Sequence, residues 1–214
     1  VYGIKTHTKT YAEFVLIYIQ SYQKYVSHHY KFIWQHVEKL QLLSSLSKSD
    51  ICTRWDYINN PKVKYYHKTN NQWGTTSKFA LMVAVDDWYN GYDDNSKSVV
   101  TDTKTTSYFC ADPVHDFSSA LLIVEKHIEA QLQSHRDKTG TALKSIYNRS
   151  DRGEFLCTAF VDGLSVLSEK YKVNMFWEMG PANHNKDICD AEGHTDKAAM
   201  DMGVMGGKLS YCAD

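Results

Sequence analysis

Apolar positions first recur along this chain at steps of three and four. Between residues 11 and 46, Tyr11, Phe14, Val15, Tyr18, Ile19, Tyr22, Tyr25, Val26, Ile33, Val37 and Leu40 keep that rhythm, and no glycine or proline interrupts it. The spacing predicts one long amphipathic helix. At a rise of about 1.5 Å per residue, an unbroken run would span roughly 50 Å. Its other face carries Gln20, Lys24, Ser27, Lys31, Gln35 and Lys39. Two readings of that face stay open: the solvated side of a packing helix, or a stripe that tracks phosphates. In the second, Lys24, Lys31 and Lys39 are the candidate DNA-backbone contacts.

From residue 51 the period shortens. Ile51 to Tyr57 reads as a strand ending in a carboxylate, and Asn59-Asn60-Pro61 as a turn. Lys78 to Val85 is an apolar run of strand length. The polar stretch Asp86 to Thr106 contains Asn90-Gly91 and Asp93-Asp94-Asn95-Ser96, which predicts a hairpin loop or flexible insertion. Ser107 to Ala111 is a third strand, ending at Asp112-Pro113. Phe117 to Gln133 predicts a helix capped near Ser118, with Leu121, Leu122, Val124, Ile128 and Leu132 facing inward. Leu143 to Tyr147 predicts a strand running into Asp151, Glu154 to Tyr171 a helix, and Lys172 to Trp177 a strand. After Gly180-Pro181 a polar stretch leads to a last helix near Thr195 to Met202. The order is a helical lead followed by β-β-β-α-β-α-β-α. It predicts an α/β fold whose mixed sheet has helices on both faces. The expected divisions are a helical lead over 1–49, a core over 50–203 and a loose tail over 204–214.

Composition narrows the function classes. Apolar residues make up 43% of the 214, enough for a core and too many for wholesale disorder. No apolar run approaches the roughly 20 residues that span a bilayer, and no signal peptide opens the chain, so a membrane partner and secretion are not expected. The 24 Lys and Arg nearly cancel the 25 Asp and Glu. That balance argues against a self-sufficient, strongly basic DNA-binding domain. It hides an asymmetry: residues 1–50 hold six Lys against three acids, and residues 178–214 hold three Lys against seven acids. The five cysteines (Cys52, Cys110, Cys157, Cys189, Cys212) are scattered, with no CxxC pair, which suits a reducing, intracellular compartment. Asn148-Arg149-Ser150 matches a glycosylation sequon, a triplet that chance supplies often.

Three aspartates stand at chemically distinctive places: Asp56 at the end of the first strand, Asp151 at the end of the fourth, Asp190 just before the last helix. If adjacent strands bring the first two together and a crossing helix adds the third, the set offers hard oxygen ligands for two Mg²⁺ or Mn²⁺ ions. Such a pair of ions serves phosphodiester cleavage. Each aspartate alone has a simpler reading as a solvated turn or cap residue.

The motifs around them resemble a family. Trp55-Asp56-Tyr57-Ile58-Asn59-Asn60 is similar to the D-F-x-E-N-Y strand of transposon-derived DDE/D transposase-like proteins, and His28 to Gln35 to the helical H-x-x-R-x-x-x-Q segment before it. Cys110 to Asp116 resembles x-S-D-D-x-x-H-D, and Ser150-Asp151 falls where S-D-G stands. Trp177, His184-Asn185-Lys186 and Cys189-Asp190, continued by Gly193 and Lys197, resemble W-x-F-F-x-x-x-H-G-K-x-x-C-D-G. The chain departs from the pattern at Asn59, Arg152, Asn185 and Ala191. The resemblance implies an RNase H-like core, catalysis and metal binding by Asp56, Asp151 and Asp190, and accessory roles for Asp112, His115, His184 and Lys186. It also implies DNA as partner through a module preceding Val1, a nuclear location, and homo-oligomerisation. A transposon-derived binding scaffold without catalysis is the competing class. A structural zinc site from His184, Cys189, His194 and Cys212 is not expected, because their spacing matches no standard finger.

Overall fold

A computed structural model of the chain describes residues 10–58, 62–63, 77–78, 80–110, 116–151, 155–180 and 188–205. Its elements are α1 (Tyr11–Ser44), β1 (Asp50–Ile58), β2 (Lys62–Val63), β3 (Ser77–Lys78), β4 (Ala80–Asp93) and β5 (Ser98–Cys110), then α2 (Phe117–Thr139), β6 (Ser145–Ser150), α3 (Thr158–Tyr171), β7 (Asn174–Met179) and α4 (Ile188–Met205). The chain divides into two compact units, residues 1–40 and 41–214.

In the first unit the long helix forms as its periodicity predicts. Thr10 caps it: the Thr10 amide and hydroxyl both donate to Glu13 Oε2, at 2.8 and 2.9 Å, and the Glu13 amide donates to Thr10 Oγ1 at 3.3 Å. This reciprocal box satisfies N-terminal amides that the helix itself cannot. The expected burial of one face does not appear. No residue of α1 is buried, and Tyr18, Tyr22, Tyr25 and Trp34 are as open to solvent as Lys24 and Lys31. Neighbouring rings instead pack along the helix at i and i+4, as in Tyr18 with Tyr22 and Tyr25 with His29.

The second unit is built on a five-stranded sheet of order β5-β4-β1-β6-β7, with a separate two-stranded ribbon of β2 and β3. β1, β4 and β5 pair antiparallel, whereas β6 and β7 run parallel to β1. With α2, α3 and α4 in their places, this is the expected β-β-β-α-β-α-β-α order and the RNase H-like arrangement of an α/β mixed sheet.

Several boundaries differ from the expectation, each for a physical reason. The polar stretch after Val85 is not a loop. β4 and β5 form a long hairpin that continues to Asp93 and Ser98, with a bulge at Tyr89/Gly91 where Gly91 takes a φ of 155°. Asp86 and Asp87 read as loop residues, yet they are buried in mid-strand because neighbouring elements bring donors to them. Helix α2 is capped by Asp116, which accepts from the Ser119 amide at 2.8 Å, rather than by Ser118. Its buried stripe is Ala120, Ile123, Val124, His127, Ile128, Gln131 and His135, while Leu122 is exposed. Strand β6 runs three residues further than predicted, to Ser150. The last helix begins at Ile188, so Asp190 lies in its first turn rather than before it.

Side chains alternate across the sheet. Ile51 and Trp55 of β1, Met82, Ala84 and Trp88 of β4 and Ile146 of β6 join Val124 and Ile128 of α2 and Phe160 and Leu164 of α3 in the main core. Gly163 lets α3 approach α2 closely, since a Cβ there would lie 2.3 Å from Leu121 Cδ2. On the opposite face Leu81, Val83 and Val85 pack with Cys189 of α4 in a smaller cluster. The sequon residue Asn148 is buried and accepts from the Trp55 indole N–H at 2.9 Å, so in the fold it is no glycan acceptor.

Candidate active site

Strand register decides which carboxylates meet. The parallel pairing of β1 with β6 matches Arg54 with Arg149 and Trp55 with Ser150, the last pair of the ladder. Asp56 and Asp151 are the next residue on each chain. By the alternation of the strands both project from the α4-side face, and both are partly buried. Their separation of 95 positions in sequence thus closes to neighbouring positions at the carboxyl ends of two parallel strands.

The third aspartate sits on the helix over that face. Cys189 Sγ donates to the Arg54 carbonyl at 3.6 Å, two residues before Asp56, and Asp190 is the next residue of α4. Further along the helix Asp196 accepts from the Ser107 hydroxyl of β5. These contacts fix α4 across β5, β4 and β1. Position 190 lies in the described helix, and its side chain lies outside the described residues.

Below the two carboxylates runs a charged row in which two arginines, matched across β1 and β6, stand between two acids. Arg54 Nη2 pairs with Asp87 Oδ2 at 2.8 Å, and Arg149 Nη2 with Glu178 Oε1 at 3.0 Å. Asp87 also accepts from Thr103 Oγ1 at 2.7 Å. Two guanidiniums, each held by its own carboxylate, therefore lie two residues back from Asp56 and Asp151. They place positive charge next to the candidate ligands.

The donor set suits a hard divalent cation. Asp56, near the end of β1, and Asp151, just past the end of β6, offer hard carboxylate oxygens. Among the described residues, no three His, Cys, Asp or Glu side chains form a metal-holding group. The accessory candidates Asp112, His115, His184 and Lys186 lie outside the described residues, as do Arg152 and the zinc candidates His184 and Cys212. Of the other two zinc candidates, Cys189 is buried against β1 and His194 is exposed. Lys24 and Lys31 are exposed on α1, and Lys39 is partly buried there.

A second polar cluster was not foreseen from sequence. On the α2 side Asp86 is fully buried, and it accepts from Thr53 Oγ1 at 2.7 Å, Gln131 Nε2 at 2.5 Å and His127 Nε2 at 2.9 Å. The other ring nitrogen of His127, Nδ1, meets the Tyr108 hydroxyl at 2.7 Å. Burial, and then the charge of Asp86, push the Tyr108 phenol well above its usual range, so it stays protonated. A signal for this cluster does exist: His127, Gln131 and His135 fall on the stripe of Ala120, Val124 and Ile128.

No protein-family model matches the chain, and no curated protein matches it. Among solved structures the chain is similar to the Argonaute of Marinitoga piezophila in complex with 5′-OH guide RNA, at 11% identity and a TM-score of 0.34. That match covers 61% of this chain and 16% of the Argonaute. It is also similar to LC9-RNase H1, a type 1 RNase H with the type 2 active-site motif, at 10% identity, a TM-score of 0.37 and 75% coverage of each chain.

Proposed function

We propose that residues 41–214 are a metal-dependent phosphodiester-cleaving core that acts on nucleic acid, in the manner of a DDE/D transposase on DNA. One observation carries the reading: the register of β1 with β6 puts Asp56 and Asp151 at neighbouring positions on one face. Asp190, in the first turn of the helix that crosses this face, is the third member. Two Mg²⁺ or Mn²⁺ ions held by this set would supply an activated water or hydroxyl and offset charge on the leaving oxygen. The chain's own part is placement. The parallel ladder ends at Trp55 and Ser150, one residue before each of two proposed donors, and the Cys189 and Asp196 contacts hold the helix that carries position 190. Strand transfer, DNA as the target, a separate DNA-binding module, homo-oligomerisation and a nuclear location belong to the same proposal.

The test is nicking of supercoiled plasmid with Mn²⁺, with Mg²⁺ and with EDTA, comparing wild type with Asp56→Asn, Asp151→Asn and Asp190→Asn. The proposal expects divalent-dependent nicking and a loss of about 10²-fold or more in each variant, corresponding to roughly 3 kcal/mol or more of transition-state stabilisation. Nicking by Asp151→Asn at the wild-type rate would overturn it. A wild type that does not respond to either ion would favour the non-catalytic scaffold.

A further inference from the structure

Helix α4 packs on β1, β4 and β5, whereas on the β6–β7 half of the same sheet face Asn174 and Phe176 are exposed and Tyr147 and Glu178 partly so. Tyr147 and Phe176 are directly paired across these two strands. Their rings stack in parallel, with centroids 4.9 Å apart and 11° between planes, and Phe176 is 51% exposed. Like Arg149, Tyr147 occupies an odd position of β6 and so shares its face. Asp151 is four positions further along the chain, about 13 Å at strand rise. At the other end of the sheet, where β1, β6 and β7 begin, three lysines are exposed: Lys48, Lys144 and Lys172. Backbone bonds tie these strand entries side by side, from the Lys144 amide to the Ser49 carbonyl and from the Asn174 amide to the Lys144 carbonyl, both at 2.8 Å. The nearby Asp50 carboxylate is turned into its own bend, where it accepts from the Ser47 amide and hydroxyl.

We infer that this half-face is a track for single-stranded nucleic acid, with an unpaired base stacked on the Phe176–Tyr147 pair and phosphates at the Lys48, Lys144 and Lys172 rim. The inference rests on the reading of Asp56 and Asp151 as a phosphodiester site, because the track leads the strand toward them. Charge complementarity selects a polyanion. The flat aromatic pair selects an unpaired base, since a base closed inside a duplex offers no free ring face to a protein surface. An exposed cross-strand aromatic pair also stabilises a sheet modestly, so stability and binding have to be read separately.

The experiment is fluorescence anisotropy of a labelled oligothymidylate in EDTA, with duplex DNA of equal length as the second probe. Wild type, Phe176→Leu, Phe176→Trp, the triple variant Lys48→Ala/Lys144→Ala/Lys172→Ala and Asp151→Asn are compared, each with a thermal melt. Phe176→Leu should weaken single-strand binding about 5-fold or more, with an unchanged melt, and Phe176→Trp should retain it. The triple variant should bind less and lose about 0.7 from its salt slope for each phosphate contact removed. Asp151→Asn should bind at least as tightly as wild type, since it removes a carboxylate at the end of the track. Wild-type affinity in Phe176→Leu, or a duplex bound as tightly as the single strand, overturns the track. If that happens while Asp151→Asn still abolishes nicking, the active-site reading stands alone. If Phe176→Leu loses binding and wild type shows no nicking, the track stands and the catalytic reading falls.

Discussion

The two faces of the central sheet handle charge in opposite ways. On the α2 side a single carboxylate, Asp86, is buried with neutral donors and a histidine gathered around it, inside an otherwise apolar core. On the α4 side charges form a row, Glu178–Arg149 and Arg54–Asp87, which runs from a half-open edge to a closed centre and ends beside Asp56 and Asp151. The first arrangement fixes a helix on a sheet. The second is closed at Arg54 and Asp87 and opens only toward the Glu178 edge. Under the proposed function, the buried Asp86 is a structural aspartate and the partly buried Asp56 and Asp151 are the functional ones, in a chain with 25 acids.

The largest effect should come from the closed side. Asp86→Ala strands the Thr53, Gln131 and His127 donors in the core. It should cost about 3–5 kcal/mol in urea denaturation. A loss below about 1 kcal/mol would mean that the cluster does not hold α2, and the contrast between the faces would collapse.

Next come the two arginines, which test the gradient along the open side. Arg54 and its partner Asp87 are both nearly inaccessible, so Arg54→Ala leaves a buried anion and should cost about 3 kcal/mol. The partner of Arg149, Glu178, keeps 35% side-chain exposure. Water can replace the lost guanidinium there, and Arg149→Ala should cost about 1 kcal/mol or less. Equal losses in the two variants would show that the α4-side row is not graded from edge to centre.

A smaller effect concerns pH. His135 is buried on α2 against Trp88, with ring centroids 6.0 Å apart. Burial lowers its pKa from the ordinary imidazole value, with a partly opposing pull from the Lys48 carbonyl and Asp50. The neutral ring is the native form, so its stabilisation is complete above the unfolded value of about 6.5 and is lost as pH falls from there through the folded value. Chemical denaturation between pH 7.5 and 5 should show that decline, and His135→Gln should flatten it. A decline of the same size in His135→Gln would assign it to other groups.

How much of this was legible in the sequence depended on whether the deciding contact was local. β1 and the long period of α1 were readable because alternation and the three-four rhythm are local signals. Asp56 was read at the end of its strand, which runs on to Ile58, whereas Asp151 directly follows the last residue of β6. The β4–β5 hairpin was misread because Asp86 and Asp87 look like loop residues until Thr53 and Arg54, each 33 positions away, supply their partners. The inner stripe of α2 was read only in part: Val124 and Ile128 are buried as expected, but His127, Gln131 and His135 were not among the expected inward residues. Their burial depends on Asp86 and Trp88, which no helical window contains. The start of α4 was missed because Cys189, which anchors its first turn, bonds to a carbonyl 135 positions earlier.

The central claim is that Asp56 and Asp151 jointly hold a divalent cation, and calorimetric titration of Mn²⁺ into the apo-protein tests it without a DNA target. Wild type should bind Mn²⁺, with Asp56→Asn and Asp151→Asn each weakening it at least about 10-fold, roughly 1.4 kcal/mol; Arg149→Ala should bind at least as tightly as wild type, since it removes a neighbouring positive charge. Unchanged Mn²⁺ affinity in both aspartate variants would contradict the account.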